Sequence, residues 1–359
     1  MEHHMTFKNY DASFSEAARA LFDTLSPEQQ ERARRMGGMQ AAYIGTKRDL
    51  ELDREFDRVT ENAAAALFGK SGKARALFVL GESGSGKTTS VEKHIAKRRQ
   101  FLPRTTADGV SVRPLVPMLA PKPLTLKGLA LAGLGALNYE VHNTRISGFD
   151  LFKEWKNQLR EQQALFLAID ELQHVLRGDT VKELQTVADV LKDLLQIPGW
   201  PLHMFLSGVP ALAGFLHQDG ESERQLKERS HIIEFRRMSF PEDIPVTTKI
   251  VEKIIRVEAC LEPRDVLHEE FVHRILHSSH FAFGSSIELT RIACDNAMRL
   301  EQDYVGPANF IAAYALKSGC RPSQNIFAVK EGWLDILPIN SLQELLDSVR
   351  RPARSTKGR

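Results

Sequence analysis

The residues that could do chemistry cluster first in Gly81-Glu82-Ser83-Gly84-Ser85-Gly86-Lys87-Thr88, directly after the apolar run Ala76 to Leu80 and before a helical stretch beginning near Thr89. Glycines at Gly81, Gly84 and Gly86 let successive backbone N–H groups turn inward around phosphate oxygens, and the helix that follows directs its positive end at the same point. Lys87 adds a full charge for the outer phosphates, and a hydroxyl at Thr88 is suited to holding magnesium. A glycine-rich turn that binds nothing has no need of this strand-loop-helix setting. Gly81 to Thr89 are therefore the expected nucleotide-binding residues, with ATP and Mg2+ as the ligands.

A second constellation, Leu165-Phe-Leu-Ala-Ile169-Asp170-Glu171, is an apolar run ending in two carboxylates. Downstream of a phosphate loop, an aspartate in that position supports magnesium together with Thr88, usually through water, and a neighbouring glutamate orients or polarises the attacking water. Alone, the pattern also fits a plain buried strand meeting solvent. Ser207-Gly208 follows the run Leu202 to Leu206, and its hydroxyl either faces the outermost phosphate or simply forms a turn. Arg224, Lys227 and Arg229 precede the run Ile232 to Phe235. An arginine there could reach a nucleotide held by the next subunit and stabilise transition-state charge, although isolated arginines in a charged helix are usually solvated.

The elements that must position these groups follow from the texture of the chain. Short apolar runs at Ala76 to Leu80, Val112 to Met118, Leu165 to Ile169, Leu202 to Leu206 and Ile232 to Phe235 alternate with helical stretches. That alternation predicts a parallel sheet covered by helices. The first sixty residues read as charged helices, with Ser26-Pro27-Glu28 as a start signal. After Pro241 and Pro245 the strands stop, and Val246 to Leu316 reads as amphipathic helices with breaks near Glu262-Pro263 and Phe283-Gly284. The final Arg350 to Arg359 has no acidic residue and reads as a basic flexible tail. The expected organisation is a helical N-terminal extension over 1–60, a phosphate-loop core over 61–245, a helical domain over 246–318 and a C-terminal segment over 319–359.

Composition narrows the field further. The 359 residues carry 48 Lys plus Arg against 46 Asp plus Glu, with 42% hydrophobic and 26% charged. This excludes wholesale disorder, a fibrous repeat and a protein that coats nucleic acid through bulk charge, while leaving room for a local basic surface. Cys260, Cys294 and Cys320 lack paired spacing, which points to a reducing compartment. The apolar stretch Leu124 to Leu137 is interrupted by Lys127 and glycines and is too short to span a bilayer, and Met1 to Tyr10 has no signal region. A cytoplasmic protein without membrane contact is expected. His268, His273, His277 and His280 have helical spacing but no accompanying catalytic metal pattern, so they read as solvent or core histidines.

The order of phosphate loop, Asp-Glu strand, polar-tipped strand, late arginine and helical domain resembles the AAA+ ATPases. Arg113-Pro-Leu-Val-Pro-Met-Leu-Ala-Pro121-Lys-Pro-Leu-Thr125-Leu-Lys127, continuing to Gly133-Leu-Gly135, is similar to a segment of the TniB/TnsC-type transposition ATPases. So are Ala168-Ile-Asp170-Glu171-Leu-Gln-His174, Leu206-Ser-Gly208-Val-Pro210 and Gln225-Leu-Lys-Glu-Arg229. The resemblance spans roughly Arg34 to Leu300. It implies an α/β fold of the P-loop AAA+ type, a three-layer parallel sheet with a helical N-terminal extension and a small α-helical lid domain.

The same resemblance implies an ATPase that regulates DNA transposition. It would assemble on double-stranded target DNA as a homo-oligomeric ring or filament and communicate with a transposase and a target-selection protein of the TniQ type. By that likeness Arg229 is the arginine finger with Arg224 in reserve, and Ser207 is the sensor at the fourth strand. Gly284-Ser-Ser-Ile287 lacks the arginine that many relatives use as a second sensor, and Arg291 lies one turn later. Lys122, Thr125 and Lys127 fall in the segment that would face DNA, where phosphate contact needs only donors and positive charge. A solvated loop accounts for these three equally well. A helicase loader or replication initiator, or a nucleotide-dependent signalling or defence switch, would share the core and differ in partners.

Overall fold

Helix caps organise the start of the chain. In the computed structural model, which describes residues 12–122, 125–142, 145–172, 181–200, 202–212 and 226–338, three helices come first: α1 (Ala12–Asp23), α2 (Pro27–Ala41) and α3 (Lys47–Ala64). Ser26 and Gln29 exchange bonds across the first turn of α2, with Pro27 just inside it, as the Ser-Pro-Glu signal predicts. Thr46 and Asp49 do the same for α3.

The strands then follow. β1 (Ala76–Gly81) leads into α4 (Lys87–Ala96), the small antiparallel pair β2 (Arg104–Thr105) and β3 (Ser111–Val112), and β4 (Leu115–Leu119). Next come α5 (Leu126–Ala136), α6 (Gly148–Glu161), β5 (Phe166–Asp170), α7 (Val181–Leu195), β6 (His203–Gly208) and β7 (Ser230–Phe235). The expected strand Val112 to Met118 is split at Arg113-Pro114, with β3 pairing to β2 and β4 to β5.

Five strands form one parallel sheet in the order β4-β5-β6-β1-β7. Alternation sorts their side chains. Phe78, Leu80, Val116, Met118, Leu167 and Leu206 pack with α5, α6 and α7 on one face. Leu77, Val79, Phe166, Phe205 and Phe235 pack with α3 and α4 on the other. Both faces are covered, so β1 buries all six residues. On the α3 side Phe56 stacks on Phe205 with ring centres 4.2 Å apart, and Phe101 meets Phe166 edge-on at 5.1 Å. Each fully buried aromatic of this kind contributes about 1.5–3 kcal/mol.

Polar contacts fix α4 to α3. Buried Arg98 bonds Asp53 at 3.0 Å and Asp57 at 2.7 Å while lying over the Phe56 ring. His94 lies between Asp49 and Asp53, at 3.1 Å from each. Burial pushes its imidazole below the ordinary histidine range despite the two carboxylates. The helix that carries Lys87 and Thr88 is thereby anchored two turns below the loop.

The chain divides into two units, one formed by residues 45–236 and the other by 13–44 together with the chain from 237 on. The second unit contains α8 (Ile244–Lys253), which runs on into a π turn at Ile254–Glu258, then the short β8 (Glu262–Pro263), α9 (Glu269–Ser278), α10 (Phe283–Arg299), β9 (Tyr304–Val305) and α11 (Pro307–Ser318). The expected extension over 1–60 is therefore divided: α3 packs on the sheet, whereas Met39 and Ile44 enter the core of the helical unit. Residues 319–338 also fold into it, with Ile326, Phe327 and Trp333 buried. Arg274 holds them, donating to the carbonyls of Ile326 and Val329 at 2.6 Å each and lying over the Trp333 ring. The tail at 350–359 lies outside the described residues.

Among the described residues no helix is long and apolar enough to cross a membrane. In the first unit α5 meets α6 where Gly133 lies against the buried Trp155 indole, and a Cβ there would overlap the ring. Gly133→Ala should lower unfolding stability by about 1–3 kcal/mol through overpacking, read from the urea midpoint.

Candidate functional site

The loop between β1 and α4 is shaped by its glycines. Gly84 and Gly86 have φ of 75° and 88°, a region that only glycine enters without strain. Gly86 occupies the N-cap of α4, which starts the helix at Lys87, earlier than the Thr89 expected. A Cβ on Gly81 would meet the Ser85 hydroxyl at 2.5 Å and Phe235 Cβ at 2.9 Å, so the loop closes tightly against β7.

Lys87 is 6% exposed, and among the described residues its ammonium meets only the Glu82 carbonyl, at 3.5 Å. Among the described residues the buried Ser85 hydroxyl has no hydrogen-bond partner. A buried cation and an orphaned hydroxyl on one loop at a helix N-terminus fit phosphate oxygens. Thr88 is half-buried in the first turn, while Glu82 is half-buried and Ser83 and Thr89 are exposed.

Parallel pairing brings Asp170 beside this loop. The Thr88 hydroxyl donates to Asp170 Oδ2 at 2.7 Å, and the Ser207 hydroxyl donates to Asp170 Oδ1. Asp170 is only 2% exposed, and none of the ion pairs among the described residues includes it. A buried carboxylate and a hydroxyl side by side, without a cation, are the hard oxygen donors that magnesium takes. The residues present therefore fit the metal. Glu171, next in the chain, has φ of 58°, a costly conformation for a residue with a side chain and one found at functional sites.

Arg229 stands elsewhere. Its carbonyl accepts from the N–H groups of Arg75 and Ala76, at the first end of β1, whereas the loop lies at the last. Six residues of strand separate the two ends, roughly 20 Å. The guanidinium meets the side-chain oxygen of Gln196 at 2.6 Å once that amide is oriented to satisfy both groups. Arg229 thus cannot touch a nucleotide on its own loop. Burial, and then the charge of Arg229, push the neighbouring Arg75 below its ordinary range.

Of the remaining expectations, Lys122 is exposed after β4, Thr125 caps α5 by accepting from the Gly128 N–H at 3.0 Å, and Lys127 is half-buried in the next turn. Arg224, Gln225 and His174 lie outside the described residues. Arg291 is not a free substitute for a second sensor: it pairs with buried Glu258 at 3.0 Å and donates to the Ala42 carbonyl at 2.6 Å. His268 caps α9, His273 stacks on Phe240 and His277 lies 3.0 Å from the Ile336 carbonyl. Among the described residues no cluster of histidine, cysteine and carboxylates is arranged for a metal. Cys294 is fully buried with its thiol pushed up to about 12, which leaves it inert.

The bond from Ser207 to Asp170 was not legible in the sequence. The signal available was register: Leu206 pairs with Ile169, so the next residues on the two strands are neighbours.

Comparison with known proteins finds one family likeness. Residues 61–233, which contain β1, the phosphate loop, Asp170, Ser207 and Arg229, match the family described as Bacterial TniB protein. That segment is similar to the TniB family. The architecture of the chain is that of the P-loop AAA+ proteins, as likeness to solved structures also shows. Cdc6p from Pyrobaculum aerophilum is similar with a TM-score of 0.54 at 12% identity, over 88% of this chain and 89% of that one. The Aeropyrum pernix ORC2 protein, solved in ADPNP-ADP complexes, is similar with a TM-score of 0.51 at 14% identity, over 81% and 74%. At such identities the likeness concerns the fold. No curated protein matches the sequence. The TniB segment ends inside β7, so every residue of the phosphate-loop cluster falls within it. Gly86→Ala, which forces a side chain into the left-handed N-cap, should weaken binding of a fluorescent ATP analogue about tenfold or more in a direct titration.

Proposed function

We propose that this chain, whose residues 61–233 are similar to the TniB family, is an ATPase that regulates DNA transposition, with ATP-bound copies assembling on double-stranded target DNA and engaging a transposase and a target-selection protein of the TniQ type. The observation that carries the ATPase part is the convergence of Lys87, Thr88, Asp170 and Ser207 at one edge of the sheet, with Thr88 bonded to Asp170 at 2.7 Å. Lys87 and the loop bind and orient the outer phosphates. Asp170 and Thr88 would hold magnesium, which when bound supplies positive charge for the phosphate oxygens. Glu171, at the end of the same strand, accepts a proton from water and orients it toward the terminal phosphate.

The far-edge position of Arg229 supports a role in trans, at the loop of a neighbouring copy. Turnover then depends on assembly, and assembly on ATP. Lys122 is the exposed cation after β4 that would meet DNA phosphates, with Lys127 behind it. With Lys plus Arg nearly balanced by Asp plus Glu, a lone subunit binds DNA weakly and many subunits bind through multivalency. The likeness of residues 61–233 to the TniB family supports transposition over the replication-initiator reading.

Two experiments test this. Glu171→Gln should retain binding of ATP and DNA while slowing steady-state phosphate release by about a hundredfold or more; normal turnover would remove Glu171 from the water-orienting role. Arg229→Ala and Lys87→Ala should each abolish turnover alone, and their mixture should recover part of it at composite interfaces. Absence of recovery in that assay would count against the role of Arg229 in trans.

A further inference from the structure

The clamp on Asp170 assigns Ser207 a different task from reading phosphate. Ser207 is 1% exposed, and its hydroxyl donates to Asp170 Oδ1 while the Thr88 hydroxyl donates to Oδ2. We propose that Ser207 is a positioning residue that holds the Asp170 carboxylate for magnesium and does not sense the outer phosphate. The inference rests on the nucleotide-binding reading above and concerns the metal side of that same site.

A serine hydroxyl has one proton. Given to Asp170, it is no longer available to a phosphate oxygen, and what Ser207 then shows its surroundings is lone pairs. Phosphate oxygens are acceptors and find no partner in them. Thr88 is in the same position, with its proton on Oδ2, but its lone pairs suit a hard cation. The two hydroxyls therefore divide the carboxylate between them, one oxygen each.

Backbone contacts leave a single freedom for them to remove. The Asp170 carbonyl is held by the Ala120 N–H at 2.9 Å, and β5 is paired on both sides. The main chain is fixed, and only the side-chain torsions can turn the carboxylate. Ser207 reaches it from the adjoining strand, one residue past the Leu206 to Ile169 pairing, and is itself in register with Val79 of β1. Without its hydroxyl the carboxylate keeps one anchor, through Thr88, and can rotate away from the orientation in which both groups face the metal. Groups that hold a metal ligand in this way are worth about 10–100-fold in metal affinity.

The test is the Mg2+ requirement for binding a fluorescent ATP analogue, followed by fluorescence without reference to turnover, with folding checked by thermal melting in EDTA. Ser207→Ala should need about tenfold more Mg2+ for half-maximal binding than the wild-type chain. Ser207→Thr, which keeps the hydroxyl, should restore the requirement, and its near-isostere Ser207→Val should not. Binding of the analogue in EDTA should be the same for the wild-type chain and all three variants. A wild-type Mg2+ requirement in folded Ser207→Ala or Ser207→Val would overturn the proposal, and a fall in turnover alone would then return Ser207 to the phosphate. Weaker binding in EDTA would overturn it equally, since that is the mark of direct phosphate contact. Failure of the wild-type chain itself to bind the analogue would instead remove the nucleotide reading underneath.

Discussion

A carboxylate almost wholly withdrawn from water is costly unless its oxygens are hydrogen-bonded and its charge is met. Asp170 satisfies the first condition with Thr88 and Ser207, one from the helix of the phosphate loop and one from the neighbouring strand. Under the proposed function, magnesium meets the second. Much of the first unit follows from this requirement: both donors can converge only if β5 and β6 run in register and α4 is fixed against the sheet. The aromatic stack around Phe56 and Phe205 and the Arg98 contacts supply that rigidity.

Parallel strands deliver all their last residues to one edge, which explains why segments far apart in sequence meet there. It also explains what does not meet. Arg229 precedes a strand, so it emerges at the opposite edge, near Arg75. The separation between the loop and this arginine is built into strand direction and does not depend on loop conformation.

The strands and the phosphate loop were legible because each is a local pattern: a short apolar run, glycines before a lysine, acids after a run. The break at Pro114 was not, because Pro117 in the same run lies inside β4 and a missing N–H does not tell the two prolines apart. The fates of Arg291 and Thr125 were harder to read. Arg291 is consumed by Glu258 and the distant Ala42 carbonyl, and Thr125 by a helix cap, and an arginine or threonine in a polar stretch carries no mark of its partner. The division of the first sixty residues between two cores was hidden for the same reason. α2 and α3 are both charged, well-capped helices, and which core each joins depends on tertiary packing.

The segment beyond α11 bears on how the chain can be shortened. Its side chains Ile326, Phe327 and Trp333 fill the helical unit, and its carbonyls share the guanidinium of Arg274 with the Glu270 carboxylate. A truncation at the last long helix would leave a hole in the core and take three carbonyl partners from Arg274, leaving it Glu270. The smallest version of the second unit that keeps its own interior intact therefore extends through the Ile336 carbonyl, where His277 makes its bond.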